Sequence, residues 1–160
     1  MIHHVLVATD GSENARRAVS FSAQVADRRQ QAEVTVVYVH LRVSPGAHSG
    51  VPVLEPQQPL QEMHAHLHDM GPEERAHAQE VVDRAVEEIR SLITSQDVTV
   101  SGRVVVANHI DDGILQTADE VKADIIVVGT RGLSTLRGAI MGSISHALIE
   151  KAHCPVLVVK

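Results

Sequence analysis

The stretch Val5–Val39, VLVATDGSENARRAVSFSAQVADRRQQAEVTVVYV, decides how this chain folds. Val5-Leu6-Val7-Ala8 is a short aliphatic run suited to a buried strand, and the turn-forming Asp10-Gly11-Ser12 closes it. Ser12 carries the side chain of a helix N-cap. From Glu13 to Arg29, Ala15, Ala18, Val19, Ser22, Val25 and Ala26 recur at helical spacing, while Arg16, Arg17, Asp27 and Arg28 fill the other face. Val34 to Val39 is a second buried strand. Strand, helix and strand in so short a span make a βαβ unit, which implies parallel pairing and a right-handed crossover.

The alternation continues toward the C-terminus. At Gly71-Pro72 a helix opens, because proline suits a first turn and Glu73 and Glu74 suit the positive end of the helix dipole. It is expected to run to about Ser95 and to bury Ala78, Val81, Val82, Ala85, Val86, Ile89 and Leu92. Val98 to Val106 reads as the third strand. Asp111 and Asp112 open a helix to about Lys122, and Ile125 to Val128 is the fourth strand. Ser143 to Lys151 is the last helix and Pro155 to Val159 the final strand. The fold class expected is α/β: an open five-stranded parallel sheet with four helices covering both faces, in a single domain over residues 1–160. Only the segment of about 41–71 breaks the pattern. It holds Pro45, Pro52, Pro56 and Pro59, is rich in His and lacks periodicity, so it reads as a long loop between the second strand and the next helix.

Composition narrows the function classes. A length of 160 residues suits one compact domain with a full core. The net charge of −6 makes the whole molecule a poor trap for nucleic acid or anionic membrane. Phe21 and Tyr38 are the only aromatic residues, so stacking platforms for single-stranded nucleic acid are missing. With Cys154 alone, no intramolecular disulfide can form. The start MIHHVLVATDGS enters a strand with no basic region or cleavage site, and no apolar run approaches a membrane span. A cytoplasmic protein is expected.

The best clue to chemistry lies near the C-terminus. The run Ala123 to Val128 feeds into Gly129-Thr130-Arg131-Gly132, followed after nine residues by Gly142-Ser143. A buried strand that ends in glycines and leads to a helix is how α/β folds build phosphate sites, since glycine permits close backbone approach and helix-start N–H groups point at the anion. An ordinary glycine-rich loop with a Ser N-cap has the same local appearance.

Three features together resemble the universal stress protein family: the start VLVATDGSENARRAV, the spacing Gly-x2-Gly-x9-Gly-Ser and the ending HCPVLVVK. The resemblance covers nearly the whole chain except Leu41 to Met70, and the glycine spacing is that of the family's ATP-binding branch. It implies a Rossmann-like sheet of order 3-2-1-4-5, a homodimer formed through the last strand, Val156 to Val159, and ATP with Mg²⁺ held above the C-terminal strand ends. That is where open α/β sheets bind ligands, at the switch point of strand order. Carried over residue by residue, the resemblance places Ala8, Thr9 and Asp10 in the adenine and ribose pocket, with Val39 against the adenine and Val128 at the end of the fourth strand. It assigns Gly129, Arg131 and Gly132 to ribose and phosphate, and Gly142, Ser143, Ile144 and Ser145 to the outer phosphates. On local grounds Asp10 can equally close an Asx-turn or cap a helix, and Val39 can be plain core. Arg137, inside the spacer, reads as a solvated basic residue.

His64, His66 and His68 form a His-x-His-x-His tract, with His48 and His77 nearby. Such a tract can offer imidazoles to Zn²⁺, Ni²⁺ or Cu²⁺, but no cysteine or clear fourth ligand accompanies it, and a solvated loop with adventitious metal affinity is the plainer reading. Cys154, before Pro155, reads as a buried small hydrophobe. No catalytic residue is assigned. The chain lacks Gly-x4-Gly-Lys-[Ser/Thr], so the phosphate-gripping lysine is missing, and no acid near the glycines is an evident base for water. The expected function is a regulatory ATP-binding protein acting as a dimeric switch toward a regulatory partner. A slow or partner-dependent ATPase and a His-loop metal-binding protein are the alternatives.

Overall fold

The computed structural model describes residues 2–28, 31–42, 70–130 and 142–160. In chain order the elements are β1 (His4–Ala8), α1 (Glu13–Asp27), β2 (Glu33–Leu41), α2 (Pro72–Leu92), β3 (Thr99–Ala107), α3 (Ile110–Val121), β4 (Ile125–Gly129), α4 (Ser143–Lys151) and β5 (Val156–Val159). All strand pairs are parallel and the sheet order is β3-β2-β1-β4-β5. β1 lies at the switch point: Val5 faces Val34 of β2 on one side and Ile125 of β4 on the other. From β1 the chain steps outward to β2 and β3, then returns to β4 and β5. This opens a crevice at the C-terminal ends of β1 and β4. The expected sheet, its order and the helices on both faces are all present.

Side chains alternate between two cores, as the period of two along a strand requires. Val5, Val7, Val34, Val36 and Val127 pack with Ala18 and Val19 of α1 and Val82 and Ile89 of α2. Leu6, Val37, Val39, Ile126 and Val128 pack on the other face with Ile114 and Ala118 of α3 and Leu148 of α4. Leu148 is fully buried, and its truncation to Ala is expected to cost about 2–5 kcal/mol. Gly102 and Gly113 let α2 and α3 lie directly on the sheet: a Cβ on Gly113 would stand 2.6 Å from Val39 Cγ1.

One helix end differs from the sequence expectation, and one carboxylate explains the difference. Asp27 Oδ1 accepts the N–H groups of Thr94 (2.7 Å) and Ser95 (2.8 Å), so the chain leaves α2 after Leu92 to meet the end of α1. Leu92, expected in the core, is 48% exposed at that frayed end. Val25 and Val81 are half-buried, each at the border of its helix's apolar stripe. The expected end of α1 at Arg29 and the loop segment 43–69, with His48, His64, His66 and His68, lie outside the described residues. No helix among the described residues is long and apolar enough to cross a membrane.

Candidate functional site

The site is built first by the end of β1. Thr9 N–H donates to Val37 O at 2.9 Å, extending the β1–β2 ladder past the strand, and Thr9 is buried. The chain then reverses at Gly11, whose φ of +80° is a conformation that a side chain would strain. Asp10 closes this turn: Ser12 N–H donates to Asp10 Oδ1 at 2.8 Å. Ser12, rather than Asp10, caps α1, its hydroxyl accepting Ala15 N–H at 3.3 Å. That leaves the second carboxylate oxygen. Asp10 Oδ2 is buried and has no hydrogen-bond partner among the described residues. A buried carboxylate oxygen without a donor is costly unless a water, an ion or a ligand completes it.

β4 supplies the opposite side. A Cβ on Gly129 would stand 2.7 Å from Asn14 O and 2.8 Å from Asn14 C, so glycine here lets the first turn of α1 lie on the end of β4. Beyond it, Thr130 N–H donates to Val159 O at 2.9 Å, and Gly142 N–H donates to Thr130 O at 2.7 Å. The start of α4 is thereby pinned to the end of β4. The Ser145 hydroxyl donates to Gly129 O at 2.9 Å, so its proton is committed within the protein instead of pointing at a ligand. What α4 presents is backbone: its first intrahelical N–H bond runs from His146 to Gly142 O, leaving Ile144 and Ser145 N–H without partners inside the helix.

The four described helices all begin at this end of the sheet, and their first turns differ in charge. Glu13 stands in α1, Glu73 and Glu74 in α2, and Asp111 and Asp112 in α3, whereas α4 has no acid in its first turn. Carboxylates offset the positive end of a helix dipole, so among the described helices α4 is the one whose dipole has no acid in its first turn to offset it.

Between these elements lies a cleft of about 500 Å³, open to solvent at its mouth. Its floor is Ala8, Thr9, Asp10, Val128 and Gly129, from the ends of β1 and β4. Its apolar wall is Val37 and Val39 of β2 with Ile110 and Ile114 of α3, and Ile144 and Ser145 of α4 face them. The expected site residues Ala8, Thr9, Asp10, Val39, Val128, Gly129, Ile144 and Ser145 are thus brought together. Gly142 and Ser143 begin α4 without lining the cleft, and Arg131, Gly132 and Arg137 lie outside the described residues. Ala15, Val37, Ile110 and Ile114 line it as well, and sequence reading did not single them out as site residues. A helix start that follows a parallel strand falls at the ligand end of the sheet, and that rule could have identified Ile110.

A wider groove of about 1650 Å³ between α1 and α2 shares Thr9 and Asp10 with the cleft. Its walls are charged residues paired with one another, Arg84 with Glu80 and Arg16 with Glu88, as on a solvated helix face. Tyr38 stands on that side, and burial, then the nearby carboxylates of Asp10 and Glu74, push its phenol above the usual range. Cys154 is half-buried instead of buried, and desolvation raises its thiol. Among the described residues no group of three or more His, Cys, Asp or Glu side chains is placed to hold a metal ion.

Residues 1–160 match the universal stress protein family. Universal stress protein Rv1636 of Mycobacterium tuberculosis is 32% identical, over 97% of this chain and 94% of its own length. The universal stress protein of Archaeoglobus fulgidus, solved in complex with dAMP, aligns at a TM-score of 0.68 and 25% identity, covering 100% of this chain and 98% of that one. A universal stress protein solved in complex with cAMP has the same fold at a TM-score of 0.66 and 24% identity, covering 99% of this chain and 96% of that one. With the sheet order, the crevice at β1 and β4 and the whole length accounted for, the chain belongs to the universal stress protein family.

Proposed function

We propose that this chain is a regulatory adenine-nucleotide-binding protein that holds its ligand, ATP with Mg²⁺, in the cleft at the ends of β1 and β4. The observation that carries the reading is Asp10 Oδ2, a buried acceptor without a donor among the described residues, on the floor of an apolar cleft. A nucleoside supplies what is lacking: an apolar ring face for Val37, Val39, Ile110 and Ile114, and a hydroxyl or amino N–H for Asp10. The dAMP and cAMP complexes of relatives with this fold support the same ligand class.

Electrostatics gives the ligand a direction. Phosphates are repelled by Asp10 and by the acidic first turn of α3, and attracted by the acid-free start of α4. The base and ribose therefore lie toward Asp10 and α3. The phosphates lie toward Ile144 and Ser145 N–H, with Gly129, Gly142 and Ser143 completing the cradle, and the glycine spacing assigns Arg131 and Gly132 to the same phosphates. We read the nucleotide as a signal more than a fuel. Asp10 is the one acid lining the described cleft, and its Oδ1 is already engaged in the turn. The half-buried edge strand Val156–Val159 supports a homodimer formed through β5.

The test is the identity of the nucleotide that co-purifies with the protein, followed by calorimetry with ATP, AMP, cAMP and Zn²⁺. Saturable binding of an adenine nucleotide is expected. Silence toward all three nucleotides with tight Zn²⁺ binding overturns the reading in favour of the His-rich segment. Multiple-turnover phosphate release would favour the ATPase alternative.

A further inference from the structure

The two walls of the cleft belong to different helices, and one side chain spans between them. Ile110 and Ile114 sit on α3, Ile144 and Ser145 on α4. The first turn of α3 has no side-chain cap from its N-cap residue His109, and its inner side is held by the close approach of Gly113 to Val39. Its outer side is held by Lys151, the last residue of α4. Lys151 Nζ lies 2.7 Å from Asp111 Oδ2 and 3.8 Å from Asp112 Oδ1. Asp111 directly follows Ile110 of the cleft wall, and its side chain is 16% exposed against 52% for Lys151. Both partners agree on the linkage: Lys151 holds the Asp111 carboxyl below its usual range, and Asp111 holds the Lys151 ammonium above its own.

We infer that Lys151 is a positioning residue that sets the charge beside the cleft, masking the two carboxylates in the first turn of α3 from an anionic ligand. The inference rests on the nucleotide reading above and extends it to a residue outside the glycine motif. Without Lys151, the charge of Asp111 and Asp112, next in sequence to Ile110 of the cleft wall, is offset by the α3 dipole alone and adds to the repulsion that Asp10 exerts on an anionic ligand. With it, part of that charge is cancelled and the wall carrying Ile110 is tied to the helix that starts the phosphate site. A second link joins the same region farther down: His153 Nδ1 lies 2.9 Å from Asp119 Oδ1. Asp119 is two turns from Asp111 along α3, roughly 12 Å away, which makes this pair a built-in control.

The experiment compares adenosine and ATP binding by calorimetry in the full chain and in Lys151→Met, Lys151→Arg, Lys151→Met with Asp111→Asn, and His153→Gln, with thermal melts to confirm folding. Lys151→Met is expected to weaken ATP binding about three- to five-fold while changing adenosine little, the size of an exposed-to-half-buried ion pair. Lys151→Arg retains the wild-type affinity, and Asp111→Asn restores ATP binding in the Lys151→Met background by removing the exposed charge. His153→Gln leaves both ligands unchanged. A merely structural role would weaken adenosine and ATP alike and would not be rescued by Asp111→Asn; either result overturns the inference, as does unchanged ATP binding in Lys151→Met. If the wild type itself fails to bind adenine nucleotides, the proposed function falls and this inference falls with it.

Discussion

Asp124 and Asp10 sit at opposite ends of the same two strands, β1 and β4, and their carboxylates are used in opposite ways. Asp124 Oδ2 accepts His3 N–H at 2.7 Å and His4 N–H at 2.9 Å, and Asp124 N–H returns a bond to His4 O at 2.9 Å. Beside it the His4 Nε2 atom meets Thr35 Oγ1 at 2.8 Å, and His4 Nδ1 lies 3.4 Å from Glu33. At the other end Asp10 Oδ2 is buried without a partner, and so is Nε of Arg42, the residue after β2. Among the described residues these are the only two buried side-chain polar atoms left unpartnered, and both stand at the C-terminal end of the sheet. Paired polar groups secure a fold, and unpaired ones weaken it unless something else completes them. The difference separates an end that builds the sheet from the end where the nucleotide site is proposed.

Gly129→Val tests the comparison most severely, because it is a packing residue at the receiving end. Its Cβ would meet backbone atoms of Asn14 that cannot rotate away, and a loss of about 3 kcal/mol or more is expected in thermal or denaturant unfolding. A variant as stable as the wild type would mean that glycine is needed there for the ligand alone. Asp124→Ala comes next. It removes an acceptor from two backbone donors at the building end, with an expected loss of about 1–2 kcal/mol and no change in nucleotide affinity of the folded protein.

The pH dependence of stability sharpens the same contrast. Desolvation holds the His4 imidazole below its ordinary 6.5, so the folded state binds fewer protons than the unfolded state in that window. Stability is then complete above about pH 6.5 and declines as the pH falls below it. Asp124, lowered from 3.8 by the His4 and His3 N–H groups, adds stability that is present above that value and is lost as acid protonates it. His4→Gln should flatten the first decline and leave the second, as read by urea unfolding between pH 7 and 2. An unchanged first decline would place its origin elsewhere. The smallest effect on stability is expected from Asp10→Asn, which keeps an Oδ1 acceptor for Ser12 N–H and removes a buried charge. Its melting temperature should match the wild type within about 2 °C.

Much of the building end was readable in the residues themselves. Aliphatic runs marked the strands, Ser12 and Pro72 marked helix starts, and the alternation required parallel pairing. The strand order was not in those runs: any parallel arrangement would bury Val34 or Ile126 equally well, and the order came from the family resemblance. Ile110 and Ile114 went unrecognised because, within α3, they look like the core positions of any amphipathic helix. Leu92 looked like core for the same reason, since periodicity cannot reveal that Asp27 draws the following residues out of the helix. The orphaned oxygen of Asp10 could not be read at all. Whether a carboxylate in a turn uses one oxygen or two depends on which groups surround it in space.

The measurement that bears most directly on the receiving end is a calorimetric titration of ATP with Mg²⁺ into the wild type and into Asp10→Asn, at a temperature where both are folded. Replacing Oδ2 by an amide N–H₂ turns the waiting acceptor into a donor facing a donor. Saturable binding by the wild type and a loss of about 30-fold or more in the variant, at equal melting temperature, is the expected result. Equal affinity in the two proteins, or no adenine-nucleotide binding by the wild type, would contradict it.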